Sequence, residues 1–155
     1  MVSPGYPILR QVVLDANDAR ALAEFYRELL GYSYRPGDEP PTGGEADVRG
    51  SDWLVLRDGF GAPALAFQQV ETLPNATWPA GPIPQQLHLD LTVRTVEDLE
   101  LQHSRATALG ARLMLDRADD ANEPLRVYAD LAGSGWSPLL HFRCPRLSGS
   151  FRPTP

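Results

Sequence analysis

The chain has 155 residues, 43% of them hydrophobic, and a formal charge of −6 in which all 14 basic residues are arginine. That balance excludes a nucleic-acid partner, which clustered cations would mark, and the absence of lysine excludes Schiff-base chemistry and a lysine-dependent phosphate loop. A lone Cys144 excludes an internal disulfide and cysteine-rich zinc motifs.

No run of 18 apolar residues is present, so no membrane partner is expected. Met1 to Arg10 lacks a secretory pattern, which makes a cytoplasmic location the expectation.

Along the chain, Ile8 to Leu14 is rich in branched and apolar residues and predicts a strand. Asp18 follows as an N-cap. Leu22, Phe25, Tyr26, Leu29 and Leu30 then recur at three- and four-residue spacing, and Gly31 ends the helix. A short strand is expected at Tyr32 to Tyr34. Arg35 to Ser51, with three prolines and four glycines, reads as loop. Strands at Trp53 to Arg57 and Ala64 to Val70 are joined by a turn at Asp58-Gly-Phe-Gly61. Residues 71–85, rich in proline, read as a linker.

The second half repeats this order. Gln86 to Val93 predicts a strand, and Thr95 with Asp98 a capping box for a helix ending at Leu109-Gly110. Strands at Ala111 to Leu115, Leu125 to Asp130 and Leu139 to Arg143 complete the set, with a turn at Asp130 to Gly133 and a frayed tail at Ser148 to Pro155. Gln11 and His88 open the two copies 77 positions apart, and Gly31 and Gly110 close their helices 79 apart. A long period with two copies points to two fused modules, 8–70 and 86–143, in one domain with a tail at 144–155.

Gln86 to Val93 alternates polar and apolar residues without a break, so Gln86, His88, Asp90 and Thr92 share one face of the strand. A solvated sheet face explains such a pattern without any function. Against that, His88 occupies the same place as Gln11 in the repeat. His103 lies mid-helix, four after Leu99, and reads as a packed helix-edge residue. Trp53, Phe67, Trp78 and Trp136 each flank a strand or the linker; singly they read as core, and together they suit a flat apolar or aromatic ligand.

The segments VVLDANDARALAEFYRELLG, LAFQQV, HLDLTVRTVEDLE and ALGARL resemble the glyoxalase-like subgroup of the vicinal oxygen chelate superfamily, which includes glyoxalase I, bleomycin-resistance proteins and extradiol dioxygenases. The resemblance covers about Ile8 to Phe142. It implies an α+β fold, with two tandem βαβββ modules forming a rolled, barrel-like mixed sheet around a central cavity. It also implies a ligand-binding place at Gln11, Gln68, His88, Trp53, Phe67 and Trp136, and frequent homodimers.

Carried over by position, the superfamily's metal ligands fall on Gln11, Gln68, His88 and His141. The expected glutamates are replaced by Gln68 and His141, leaving two amides and two imidazoles with no formal charge. Such a set holds hard dications poorly, though Zn or Ni on the histidines stays open, as do Mn and Fe.

The resulting expectation is a small-molecule-binding protein without an intact superfamily metal site or other cofactor, sequestering a small apolar or aromatic molecule. The alternatives are a metal-dependent lyase, isomerase or dioxygenase using His88, and metal-free acid–base catalysis by His88 and Asp90. Glyoxalase I chemistry is not expected, because it depends on the missing glutamates.

Overall fold

The computed structural model describes residues 7–74, 77–85, 87–131 and 139–144. Gln86, Trp136, the turn beyond Leu131 and the Ser148 to Pro155 tail lie outside the described residues.

The elements run β1 (Val12–Ala16), α1 (Ala19–Leu30), β2 (Ser33–Tyr34), β3 (Trp53–Arg57), β4 (Pro63–Gln69), then β5 (His88–Thr92), α2 (Val96–Ala108), β6 (Arg112–Arg117), β7 (Leu125–Ala129) and β8 (Leu139–Arg143). The fold is α+β, with the order βαβββ given twice. The chain divides into two compact units, the first holding β1 to β4 and the second β5 to β8.

Each unit carries a four-stranded mixed sheet of the same topology, β1-β4-β3-β2 and β5-β8-β7-β6. In both, the first strand runs parallel to the last and the remaining pairs are antiparallel. A parallel neighbour requires a crossover, and α1 and α2 head the connections that supply it.

In the first unit Asp18 caps α1 by accepting from the Ala21 N–H at 2.8 Å, and Gly31 ends it at φ 68°, where a side chain would strain. Leu22, Ala23, Phe25, Tyr26 and Leu29 are buried against Leu14, Leu54, Leu56, Leu65 and Phe67. A buried Leu or Phe contributes roughly 1.5–3 kcal/mol, so this stripe holds the helix to its sheet.

The strand expected at Ile8 to Leu14 instead begins at Val12. Ile8 and Leu9 are 72% and 84% exposed, and β1 pairs β4 only from Val12 opposite Leu65 onward.

The 35–52 segment is a loop, as expected, but a fastened one. Asp38 is 1% exposed and its Oδ2 accepts from the Val55 N–H at 2.9 Å, while Arg35 pairs with its other oxygen. Arg20 reaches from α1 to grip Asp47 through two parallel bonds of 2.7 and 3.0 Å, and donates to the Asp38 carbonyl at 2.7 Å.

The second unit has a more polar helix–sheet seam. Arg126 is 6% exposed and bonds Glu100 of α2 and Asp116 of β6. His103 meets the Tyr128 hydroxyl at 2.8 Å, which confirms its packed role. Thr95 caps α2 by accepting from the Asp98 N–H at 3.0 Å.

Candidate functional site

Alternation on β5 leaves His88, Asp90 and Thr92 exposed on the face away from α2, with Leu89 and Leu91 half-buried on the other. The parallel register sets Asp90 opposite His141 and Thr92 opposite Arg143. Directly paired residues share a face, so β8 adds His141 and Arg143 to this helix-free surface.

The His88 and His141 rings stack with centroids 4.2 Å apart and planes 19° from parallel. His141 Nδ1 stands 3.9 Å from Asp90 Oδ1. One donor atom from each of His88, Asp90 and His141 lies within 4.8 Å of the others.

His141 has a 13% exposed side chain, and both of its ring nitrogens are buried without a hydrogen-bond partner. Burial, reinforced by His88, holds its pKa below the usual imidazole range, so the ring is neutral at neutral pH. A buried polar atom without a partner costs on the order of 1–3 kcal/mol, so these two nitrogens call for a partner of their own. Asp90 is half exposed and is engaged by Arg143 Nε at 2.8 Å. Arg143 in turn pairs with Glu123, from the turn between β6 and β7.

Two imidazoles and one carboxylate form a donor set suited to Zn, Ni, Fe or Mn. Ligand atoms around such ions stand about 3–3.4 Å apart, given bonds near 2.1 Å. The upper bound on their separations exceeds that by about 1–2 Å, the most that any pair has to close. The residues fit an ion, His88 and His141 holding it and Asp90 supplying the anionic oxygen.

In the first unit, Asp15 pairs with Gln68, Gln68 with Trp53, and Val13 with Ala66. Gln68 is exposed and Trp53 half-buried, both on the helix-free face. Phe67 points the other way, opposite Leu14, fully buried against the Tyr26 ring at 5.7 Å. It is core, and the expectation that it borders a ligand is corrected.

Gln11 precedes β1 and its Oε1 is buried without a partner. Gln68 pairs four residues further along, an offset of about 13 Å at the usual strand rise. The two amides are therefore offset along the strands of their module. The register also makes Ala66, not Gln68, the counterpart of His141. Arg143 is the counterpart of Gln68. Arg143 and Glu123 were absent from the sequence-based candidates, although the two-residue step from His141 places Arg143 on its face.

The first unit also has a surface cleft of ≈ 450 Å³ bordered by Asn17, Arg20, Asp47 and Gln69. Its polar side chains are already bonded to one another or to backbone.

A family model described as a glyoxalase-like domain matches residues 11–137. The chain belongs to the glyoxalase-like family. Several solved structures share the fold. The fosfomycin resistance protein FosX of Listeria monocytogenes, complexed with Mn(II) and 1S,2S-dihydroxypropylphosphonic acid, is 15% identical with a TM-score of 0.61, and 95% of each chain is covered. A glyoxalase/dioxygenase from Nostoc punctiforme is 16% identical with a TM-score of 0.59, covering 94% of this chain and 96% of its own. A glyoxalase/bleomycin resistance protein/dioxygenase family enzyme from Burkholderia phytofirmans PsJN is 15% identical with a TM-score of 0.57, covering 87% and 96%. No curated protein matches the sequence. Among the described residues no helix is long and apolar enough to cross a membrane.

Proposed function

We propose that this glyoxalase-like protein binds a divalent ion on the helix-free face of its second module and uses it to act on a small molecule. The observation that carries this reading is the stacked His88–His141 pair beside Asp90, with both His141 nitrogens buried and unpartnered. The Mn(II) in the FosX relative supports it as an analogy of fold.

When bound, the ion supplies Lewis-acid polarisation of a carbonyl or hydroxyl oxygen. His141, kept neutral by burial, offers a lone pair instead of a proton. His88, on the exposed edge of the pair, orients the same centre, and Asp90 adds the negative charge that two imidazoles lack. Asp90 and Glu123 are both engaged by Arg143. Neither carboxylate is therefore free to serve as a base, and His88, His141 and Asp90 would act by holding the ion and orienting a small molecule beside it.

A metal-free reading has one observation of its own: Arg143 already neutralises Asp90. In that case the protein sequesters a small apolar or aromatic molecule.

Elemental analysis and thermal unfolding with added Zn, Ni, Mn or Fe separate the two. Near-stoichiometric metal, and a stabilisation of about 2.7 kcal/mol at a hundredfold excess over Kd, are expected for the wild type and lost in His88→Ala and His141→Ala. An unchanged melting temperature with all four ions refutes the metal reading and leaves sequestration, tested next with aromatic ligands.

A further inference from the structure

Arg143 stands two residues beyond His141 on the same face of β8, about 6.6 Å along the strand. Its side chain is 30% exposed and is shared between Asp90 and Glu123. One cation thus faces two carboxylates, and the patch carries a net charge of about −1, which repels anions. A divalent ion held by His88, His141 and Asp90 reverses that sign. It also competes with Arg143 for the Asp90 carboxylate, because an oxygen donating to a dication is a weaker partner for a guanidinium.

We propose that Arg143 is the anion-recognition residue of this centre, made available when metal loading draws Asp90 away from it. The inference rests on the metal reading above and adds a substrate class. The substrate is a small hydroxy- or oxo-acid, with an oxygen for the ion and an anionic group three or four bonds away for the guanidinium. A planar fork of N–H donors suits a carboxylate or a phosphonate equally.

Malate and lactate form the matched probes, since both offer a hydroxy-acid and only malate has the distal carboxylate. Calorimetry on the nickel-loaded wild type is expected to show malate binding at least about tenfold tighter than lactate, the usual scale for a charge-assisted pair. The preference is expected to be absent without nickel, lost in Arg143→Gln and partly kept in Arg143→Lys. Glu123→Gln, which removes the competing carboxylate, is expected to strengthen it.

Metal content is measured first in every sample. A wild type that retains none of nickel, zinc, manganese and iron overturns the metal reading, and this inference with it; where another of the four is retained in place of nickel, the same comparison is made with that ion. Nickel-loaded wild type with equal affinity for both acids, or a preference that survives in folded Arg143→Gln, overturns the Arg143 inference alone.

Discussion

Truncating Arg20 to alanine detaches the 35–52 segment from α1, and the cost can be worked from its contacts. The guanidinium makes two bonds to Asp47, of 2.7 and 3.0 Å, one to the Asp38 carbonyl at 2.7 Å, and lies 4.9 Å from the Tyr34 ring centroid. A hydrogen bond to a charged group contributes about 1.5–3 kcal/mol when shielded, and an exposed ion pair under about 1 kcal/mol. Arg20 and Asp47 have side chains 15% and 28% exposed, between those limits. Their sum, discounted for water reaching Asp47, is about 2–3 kcal/mol, or a melting temperature lower by about 4–12 °C in a chain of this length. Asp47→Ala loses less, because the Asp38 carbonyl keeps its arginine. The double mutant therefore falls short of additivity by about 1–2 kcal/mol.

Thermal unfolding of the four proteins measures the cycle. Limited trypsin digestion, which cuts after the exposed Arg49, reports local release of the segment. Additivity within about 0.5 kcal/mol, together with an unchanged cleavage rate, refutes the claim that this pair fastens the segment.

Acid stability follows from the same pair. Asp47 has its carboxyl held below its usual range chiefly by the Arg20 hydrogen bond. A depressed folded pKa adds stability above the unfolded value of 3.8 that is lost as pH falls through the lower folded value, so Asp47→Asn is expected to flatten melting temperature against pH below about pH 4. Glu100, Asp116 and Asp120 are also lowered and keep part of that slope. On the other side of the second sheet, His103→Ala removes a hydrogen bond to Tyr128, whose hydroxyl burial pushes up to about 12. Unfolding should show a loss of about 1 kcal/mol, while metal content stays at the wild-type level.

Helix positions, the order of elements along the chain and the internal repeat were legible because each rests on local periodicity and caps. Asp18, Gly31 and Thr95 stand where the signals place them. The face assignment of Phe67 was not legible. Leu65, Ala66 and Phe67 are all buried, so a central strand reads as an apolar run without the alternation that tells one face from the other. His88 was found by alternation on a half-exposed strand. The stacking of His141 on it depended on the pairing of β5 with β8, between residues 51 apart, which no short-range pattern encodes. The same gap hid Arg143 and Glu123. The buried Asp38 was missed because loop composition says nothing about which acid folds inward to serve a strand's N–H.

The matching registers of the two sheets give each position in one module an address in the other. At the addresses of His88, Asp90, His141 and Arg143, the first module holds Gln11, Val13, Ala66 and Gln68, none of them ionisable. The first module is therefore a natural blank carried within the same molecule: one backbone plan without the ionisable groups at these four addresses. An effect that depends on topology alone should be produced by either half, and an effect of chemistry by the second only. For anyone altering the protein's reactivity, the second module is the place to write, and the first is the reference against which the change is read.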